Sequence, residues 1–115
     1  MTFQPTPCVP RDLPGRTVLA FPPDVDLSNT SELYAHIVSV ARVRRPRLLV
    51  LDLTRTRFMD SQGARLIDDV SRLLHPHTRV RVAAPPDGLP SRVLMLTGVR
   101  RDVPVYDHPD EALAA

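Results

Sequence analysis

Residues 49–67 read LVLDLTRTRFMDSQGARLI and pass from an apolar run through a polar loop into a helical pattern. The apolar run, LLVLDL at 48–53, has the length of a strand and little alternation, which is typical of a strand covered on both faces. After the loop TRTRFMD, apolar residues recur at helical spacing from Ser61 onward: Leu66, Ile67, Val70, Leu73 and Leu74. Pro76 ends the pattern. This stretch therefore predicts a buried strand, a loop and an amphipathic helix.

The stretch 24–45 contains no proline, and it predicts an earlier helix. Ser28 alone, or Asn29 with Glu32 three residues later, can cap the N-terminus of this helix. Its apolar face consists of Leu33, Ile37, Val40 and Ala41. The run RVRRPR at 42–47 is the densest basic segment, and we interpret it as a solvated helix end and loop.

The remaining segments also alternate between strand and helix patterns. Upstream, Pro14-Gly15 predicts a turn between a short strand near Cys8–Pro10 and the strand TVLAF at 17–21. Downstream come a strand TRVRVAA, a helix LPSRVLMLTG closed by Gly98, a strand VPVY and a weak helix around Asp110–Leu113. Strands alternating with helices predict an α/β fold with a mostly parallel mixed sheet of four to five strands and about four helices.

Composition limits the class of protein. The chain has 115 residues and a mass of 12.8 kDa, which suits one domain, and we predict a flexible tail at 1–6 followed by a domain at 7–115. The sequence lacks a membrane-length apolar run and a signal-peptide pattern, and a single cysteine, Cys8, agrees with a reducing compartment. We therefore expect a cytoplasmic protein that does not contact a membrane.

Charge and chemistry argue against several functions. All fifteen basic residues are arginines, and the net charge is only +2. Three Phe and two Tyr are too few to form the aromatic platforms on which bases stack, so we expect no direct nucleic-acid binding. A receiver domain would need a lysine and an acidic pair, but only Asp12 lies in the relevant region, so we expect Asp52 to accept loop amide hydrogen bonds instead. Neither a catalytic set nor a metal or cofactor motif is evident, and we expect no enzymatic activity.

The hexapeptide from Phe58 to Gly63, with Asp60-Ser61-Gln62 at its centre, resembles the central signature of STAS domains. The resemblance is to the anti-anti-sigma factors (anti-sigma factor antagonists) of bacterial partner-switching systems. The segments PPDVDLSNTSEL and RVLMLTGVRRDVPVYDHPDEAL are similar to the flanking parts of that family, so the resemblance covers roughly residues 9–114. It implies a single STAS-like domain at 7–115.

The resemblance implies a regulator of transcription that is switched by phosphorylation. An unphosphorylated chain would bind an anti-sigma factor that is also a serine kinase with an ATP-binding domain, and so free the sigma factor. The kinase would phosphorylate Ser61 and end the complex, and a serine phosphatase would restore it. From its position alone, Ser61 has two interpretations, as a helix N-cap or as the phosphorylation site of such a phosphoprotein.

The resemblance also implies a partner-binding surface around Ser61. Its predicted members are Asp24, Asp26, Arg57, Phe58, Met59, Asp60, Gln62, Gly63 and Arg65. Two features depart from the family pattern: Pro22-Pro23 replace a usual glycine, and Arg55 and Arg57 lie in a loop that usually carries small residues. With Arg65, these arginines can select an acidic partner, hold the phosphate or indicate a different ligand. The alternative function is a constitutive STAS-like scaffold or a module that binds a small ligand such as a nucleotide.

Overall fold

Strands and helices alternate along residues 9–115, which are the residues that the computed structural model describes. The strands are β1 (Arg11–Leu13), β2 (Arg16–Ala20), β3 (Asp24–Val25), β4 (Leu48–Asp52), β5 (Phe58–Met59), β6 (Arg79–Ala83) and β7 (Val105–Tyr106). The helices are α1 (Thr30–Arg44), α2 (Ser61–Leu74), α3 (Leu89–Thr97) and α4 (Pro109–Ala114), and a short 3-10 helix at Val99–Arg101 follows α3. The predicted tail at 1–6 lies outside the described residues.

The main sheet has five strands in the order β1-β2-β4-β6-β7. The β1–β2 pair is antiparallel, and the other pairs are parallel. The prediction of an α/β fold with a mostly parallel mixed sheet and four helices is therefore confirmed. Two further strands, β3 and β5, pair only with each other, as a small parallel ribbon. The sequence did not predict this ribbon, because two-residue strands are too short for a periodic pattern.

Strand β4 lies at the centre of the sheet and is buried on both faces, as its apolar run predicts. Leu49 and Leu51 join the larger apolar cluster, together with residues of α1, α2 and α3. Leu48 and Val50 join a smaller cluster on the opposite face, beside Ala112 of α4. Alternate side chains of β4 thus face two layers of helices, with three helices on one side and one on the other.

The first helix confirms its predicted apolar face, but its predicted cap is wrong. Leu33, Ile37, Val40 and Ala41 are buried. Asn29 occupies the N-cap position, but its side chain makes no capping hydrogen bond. It reaches back instead, accepting from the backbone N–H of Asp26 and donating to the carbonyl of Asp24. The hydrogen bonds that close the preceding loop therefore take the Asn29 side chain away from the first N–H groups of α1.

Strand β1 begins three residues later than the segment predicted near Cys8–Pro10. The turn at Pro14-Gly15 is tight, with Leu13 paired directly to Arg16, so the strand must lie immediately before it. Gly15 has a φ of 68°, which only glycine adopts easily. The Asp12 carboxylate on this strand accepts from Nε of Arg44, at 2.9 Å, and this ion pair ties the sheet edge to the end of α1.

The later helices end as predicted, with one difference on the apolar face of α2. Pro76 follows the end of α2, and Gly98 closes α3 in a left-handed conformation with a φ of 83°. Leu66, Ile67 and Val70 of α2 are buried and Leu74 is half-buried, whereas Leu73 is 47% exposed because it borders an open groove between α1 and α2.

Candidate functional site

The β3–β5 ribbon brings together the two loops that lead into α1 and α2. Its register pairs Asp24 with Phe58 and Val25 with Met59. The backbone N–H groups of Arg57 and Phe58 both donate to the carbonyl of Pro23, at 2.8 and 3.1 Å. The N–H of Asp60 donates to the carbonyl of Val25 at 3.2 Å. The starts of both helices are therefore anchored to the same short ribbon.

The two faces of the ribbon differ in character. Val25 and Met59 point inward and are fully buried. Asp24 and Phe58 are both exposed, and the Phe58 side chain is 43% accessible, an unusual state for an aromatic residue. Residues paired across parallel strands face the same side of the ribbon. A carboxylate and an aromatic ring thus lie next to each other at the surface, three residues before Ser61.

Asp60, not Ser61, caps helix α2. The carboxylate of Asp60 accepts from the backbone N–H groups of Gln62 and Gly63, at 2.9 and 3.4 Å. Ser61 is the first residue of the helix itself and is exposed. Within the described residues, its hydroxyl makes no hydrogen bond. The interpretation of Ser61 as an N-cap is therefore wrong, and its hydroxyl is available for other chemistry.

Gly63 is buried because the ribbon packs directly against it. A Cβ built on Gly63 would overlap Cγ of Met59 and would lie 2.9 Å from Sδ of Met59 and 3.0 Å from Cγ1 of Val25. Such distances are shorter than ordinary van der Waals contacts. The glycine thus lets the first turn of α2 lie close to the ribbon, and this internal contact accounts for its place in the motif.

The loop that enters α1 is held by a small hydrogen-bond network. The carboxylate of Asp26 accepts from the hydroxyl and the N–H of Ser28, and these two hydrogen bonds lower its pKa. Asn29 joins the carbonyl of Asp24 to the N–H of Asp26 through its amide side chain. Asp26 therefore has a structural role in this turn, whereas the Asp24 carboxylate is exposed beside Phe58.

The loop before β5 is anchored by two threonines. As predicted for Asp52, its carboxylate accepts from a loop amide, the N–H of Thr54, and also from the Thr54 hydroxyl, at 2.9 and 2.7 Å. Thr56 is buried, and its hydroxyl donates to the carbonyl of Pro22 at 2.9 Å. Sequence reasoning missed the role of Thr56, because its partner is 34 residues away and no local pattern marks it. Together with the Pro23 contacts, this bond positions β5 and the start of α2.

A shallow cleft of about 300 Å³ separates the first turns of α1 and α2. Its lining residues are Thr30, Ser31, Tyr34, Gln62, Arg65, Leu66 and Asp69. Arg65 lies four residues after Ser61, which places it one helical turn along the same side of α2. Arg55 and Arg57 are exposed on the loop before the ribbon. The cleft therefore continues the exposed surface around Ser61 along the helix pair.

The predicted partner-binding residues divide by burial. Seven of the nine are at least partly accessible, and they lie around the start of α2 and the outer side of the ribbon. Five of these are exposed, namely Asp24, Arg57, Phe58, Gln62 and Arg65, and two are half-buried, namely Asp26 and Asp60. The other two, Met59 and Gly63, are buried and present no side-chain surface to a partner in this structure.

The described residues contain no cluster of three His, Cys, Asp or Glu side chains suited to a metal ion. None of the helices at 9–115 is long and apolar enough to cross a membrane.

Comparison with known proteins identifies relatives of this fold. The family model for the STAS domain matches residues 9–112. An anti-sigma factor antagonist from Mycobacterium paratuberculosis is similar over 93% of this chain and 90% of its own, with 26% identity and a TM-score of 0.84. An anti-sigma-factor antagonist (STAS) domain protein from Planctomyces limnophilus is similar over 93% of this chain and 94% of its own, with 18% identity and a TM-score of 0.75. No curated protein sequence matches the chain.

The fold also occurs in a protein of another kind. A murine anion transporter, Solute Carrier 26 family member A9, is similar over 87% of this chain and 17% of its own, with 14% identity and a TM-score of 0.66. The same fold thus occurs within a larger chain. The role of a member must therefore be argued from its site and not from the fold.

Proposed function

The chain belongs to the STAS domain family, and from this premise we propose that it is an anti-sigma factor antagonist whose binding is switched by phosphorylation of Ser61. The name of the similar mycobacterial protein supports the first part of the proposal. The second part rests on the geometry around Ser61. In its unphosphorylated form, the protein binds an anti-sigma factor with a serine kinase domain in the cytoplasm, and so regulates transcription without acting as an enzyme.

The observation that carries the proposal is the exposed hydroxyl of Ser61, which makes no hydrogen bond among residues 9–115, beside an aspartate that caps the helix. Because Asp60 already satisfies the N–H groups of Gln62 and Gly63, helix α2 does not need the serine hydroxyl. A kinase can therefore reach the hydroxyl without unfolding the helix. Modification then changes the surface and leaves the fold intact.

A phosphate on Ser61 stays at the surface and acts on the partner. It adds a charge of about −1.5 to −2 at neutral pH. The helix N-terminus would attract this charge, but the Asp60 carboxylate already occupies two of the N–H groups there. Two neighbouring anionic groups resist burial in an interface, where a like-charge contact costs several kcal/mol. Binding of the partner should then fall by more than about a hundredfold.

The binding surface we propose is centred on Phe58. An exposed aromatic side chain flanked by polar groups is a common anchor in protein interfaces. Phe58 is 43% exposed, is paired with the exposed Asp24, and lies three residues before Ser61. A partner that covers Phe58 also covers the start of α2, so the phosphate lies within the contact and not at its edge.

The proposed cycle needs two further proteins. The anti-sigma factor carries ATP and the kinase activity, and a serine phosphatase removes the phosphate from Ser61. The exposed Arg55, Arg57 and Arg65 favour a partner whose contact surface is acidic. Arg65 lies one turn from Ser61, within reach of the added phosphate, and this contact would hold the phosphoryl group against the helix.

The direct test compares Ser61→Ala with Ser61→Asp as baits in lysate of the native cell. We expect an ATP-binding serine kinase to be retained by Ser61→Ala and lost from Ser61→Asp. Ser39→Asp is the matched control, because Ser39 is an exposed serine of α1 outside the proposed surface, and it receives the same charge change. Phe58→Ala should weaken retention in the Ser61→Ala background. Incubation of the purified kinase with wild type and ATP should add one phosphate, at Ser61.

Equal retention of the same proteins by both Ser61 variants would contradict the switch and support a constitutive scaffold. Loss of the kinase from Ser39→Asp as well would show a general effect of charge. A kinase that binds but modifies a threonine of the loop would contradict the assignment of Ser61 and leave the proposed class of partner intact.

A further inference from the structure

A pocket lined by arginines lies at the opposite end of the sheet from Ser61. Its volume is about 650 Å³, within the range of small-molecule sites. Four arginines line it, namely Arg16, Arg47, Arg79 and Arg81, together with His77. Ser61 follows the carboxyl ends of the parallel strands, whereas these arginines lie at or near the amino ends, so the two sites are separate.

The sheet holds three of these arginines in fixed neighbouring positions. Arg16 and Arg79 begin β2 and β6, and both pair with Leu48, the first residue of β4. Arg47 immediately precedes β4, and its backbone is bonded on both sides, since its N–H donates to the carbonyl of Gly15 and its carbonyl accepts from the N–H of Arg79. Neighbouring strands lie about 4.8 Å apart. The side chains of these three arginines therefore begin at neighbouring backbone positions of the sheet.

No ion pair within the described part of the chain involves the side chains of these three arginines. The ion pairs found among residues 9–115 are Arg44–Asp12 and Arg72–Asp68, so the side chains of Arg16, Arg47 and Arg79 pair with no carboxylate there. The pocket lining includes no aspartate or glutamate.

Arg81 and Arg47 are held differently. Nη1 of Arg81 already donates to the backbone oxygens of Ala112, in α4, and Ala115, just after it, so Arg81 is engaged with the chain itself. The guanidinium of Arg47 lies against Gly15, with Nη2 and Nε as the atoms nearest to the glycine. Three like charges thus remain in one concave site.

We propose that this pocket binds a small molecule that carries two or more linked phosphate groups. The planar guanidinium group donates two parallel hydrogen bonds to phosphate oxygens, and these charge-assisted bonds are among the strongest in proteins. Three guanidinium groups match the several oxygens of a diphosphate better than those of a single monovalent anion. The concave shape and the lack of Phe, Tyr or Trp in the lining favour a compact anion over a nucleic-acid strand, which needs stacking platforms. The inference does not depend on the proposed switch at Ser61.

The test is a titration of the whole protein with inorganic pyrophosphate at constant ionic strength, followed by amide NMR shifts and by calorimetry. We expect shifts confined to Gly15, Arg16, Arg47, Arg79 and their neighbours, and a melting temperature that rises with pyrophosphate concentration. Arg47→Gln and Arg79→Gln should each weaken binding by about tenfold, the worth of one charge-assisted hydrogen bond. Arg100→Gln is the matched control, because Arg100 is an exposed arginine outside the pocket, and it should bind like wild type.

A second arm with ADP identifies the source of the diphosphate. Equal affinity for ADP and pyrophosphate means that the site contacts only the phosphate groups. Tighter binding of ADP means that the site also contacts the nucleoside. The proposal is overturned if sulfate at the same ionic strength produces the same shifts, or if Arg100→Gln weakens binding as much as Arg47→Gln. It is also overturned if the shifts map to the Ser61 end, or if only DNA or anionic vesicles bind.

Discussion

Replacing Gly63 by alanine tests whether the first turn of α2 and the β3–β5 ribbon are packed at their closest possible distance. The added Cβ would overlap Cγ of Met59 and would approach its Sδ to 2.9 Å and Cγ1 of Val25 to 3.0 Å. Both neighbours are buried, at 1% and 0% exposure, and they pair with each other across the ribbon. Both side chains are enclosed by the protein interior, so we expect the helix or the ribbon to move.

The magnitude follows from two opposing effects. Inserting a methyl group into a packed interior costs about 1 to 3 kcal/mol. Alanine also has a higher helix propensity than glycine, and this raises the free energy of unfolding by up to about 1 kcal/mol. We therefore expect Gly63→Ala to lower the free energy of unfolding by about 1 to 2 kcal/mol, and at this chain length each kcal/mol lowers the melting temperature by about 4 °C. Calorimetry and urea unfolding measure both quantities.

Gly88→Ala is the matched control, since a Cβ at Gly88 would lie 3.4 Å or more from its neighbours, an ordinary contact. Because Gly88 is the N-cap of α3, where alanine is less favourable than glycine, we expect a cost of about 0.5 to 1 kcal/mol that does not depend on Met59. In a Met59→Ala background the overlap is gone, so Gly63→Ala should cost much less there. If Gly63→Ala is as stable as wild type, or lowers stability equally in both backgrounds, close packing against Met59 is not the reason that the position needs glycine.

Three further outcomes follow from the same site. Asp60→Ala should lower stability by about 1 kcal/mol through loss of the cap of α2, whereas Ser61→Ala should stay within about 0.5 kcal/mol of wild type in thermal melts. Thr56→Val should lower stability by about 0.5 to 1.5 kcal/mol in urea unfolding, because it removes the hydrogen bond to the carbonyl of Pro22. The hydrogen bonds from Ser28 lower the folded-state pKa of Asp26 below its ordinary value of 3.8. The stability they contribute is therefore complete above that value and is lost as the pH falls through the lower folded-state pKa, so unfolding curves of wild type and Asp26→Asn should converge in acid.

Much of the fold was predictable because it rests on patterns that extend over whole elements. The apolar run of β4 indicated burial on both faces, and its alternate residues do meet two layers of helices. The apolar face of α1 and the glycine that closes α3 also lie where their patterns predict. Each of these signals is local, since period, capping and chain breaking are properties of a few consecutive residues.

The candidate site was predictable only in part. The sequence places Asp60, Ser61 and Gly63 between a strand and a helix, but it does not say which of the two polar residues caps the helix. The backbone of Asp60 is extended, with a φ of −100° and a ψ of −173°, and this conformation directs its carboxylate toward the N–H groups of Gln62 and Gly63. The β3–β5 ribbon imposes that conformation through its bond from Asp60 to Val25.

By itself, the sequence determined the class of fold, the central strand, the two long helices and the position of the serine at the start of the second. Only the tertiary structure decided that Ser61 is free of capping, that Gly63 is needed for close packing, and that Thr56 anchors the loop. The physical reason is the range of the interactions. Periodicity acts between residues within a few positions of each other, whereas the ribbon, the Thr56 bond and the arginine pocket join residues about thirty or more positions apart.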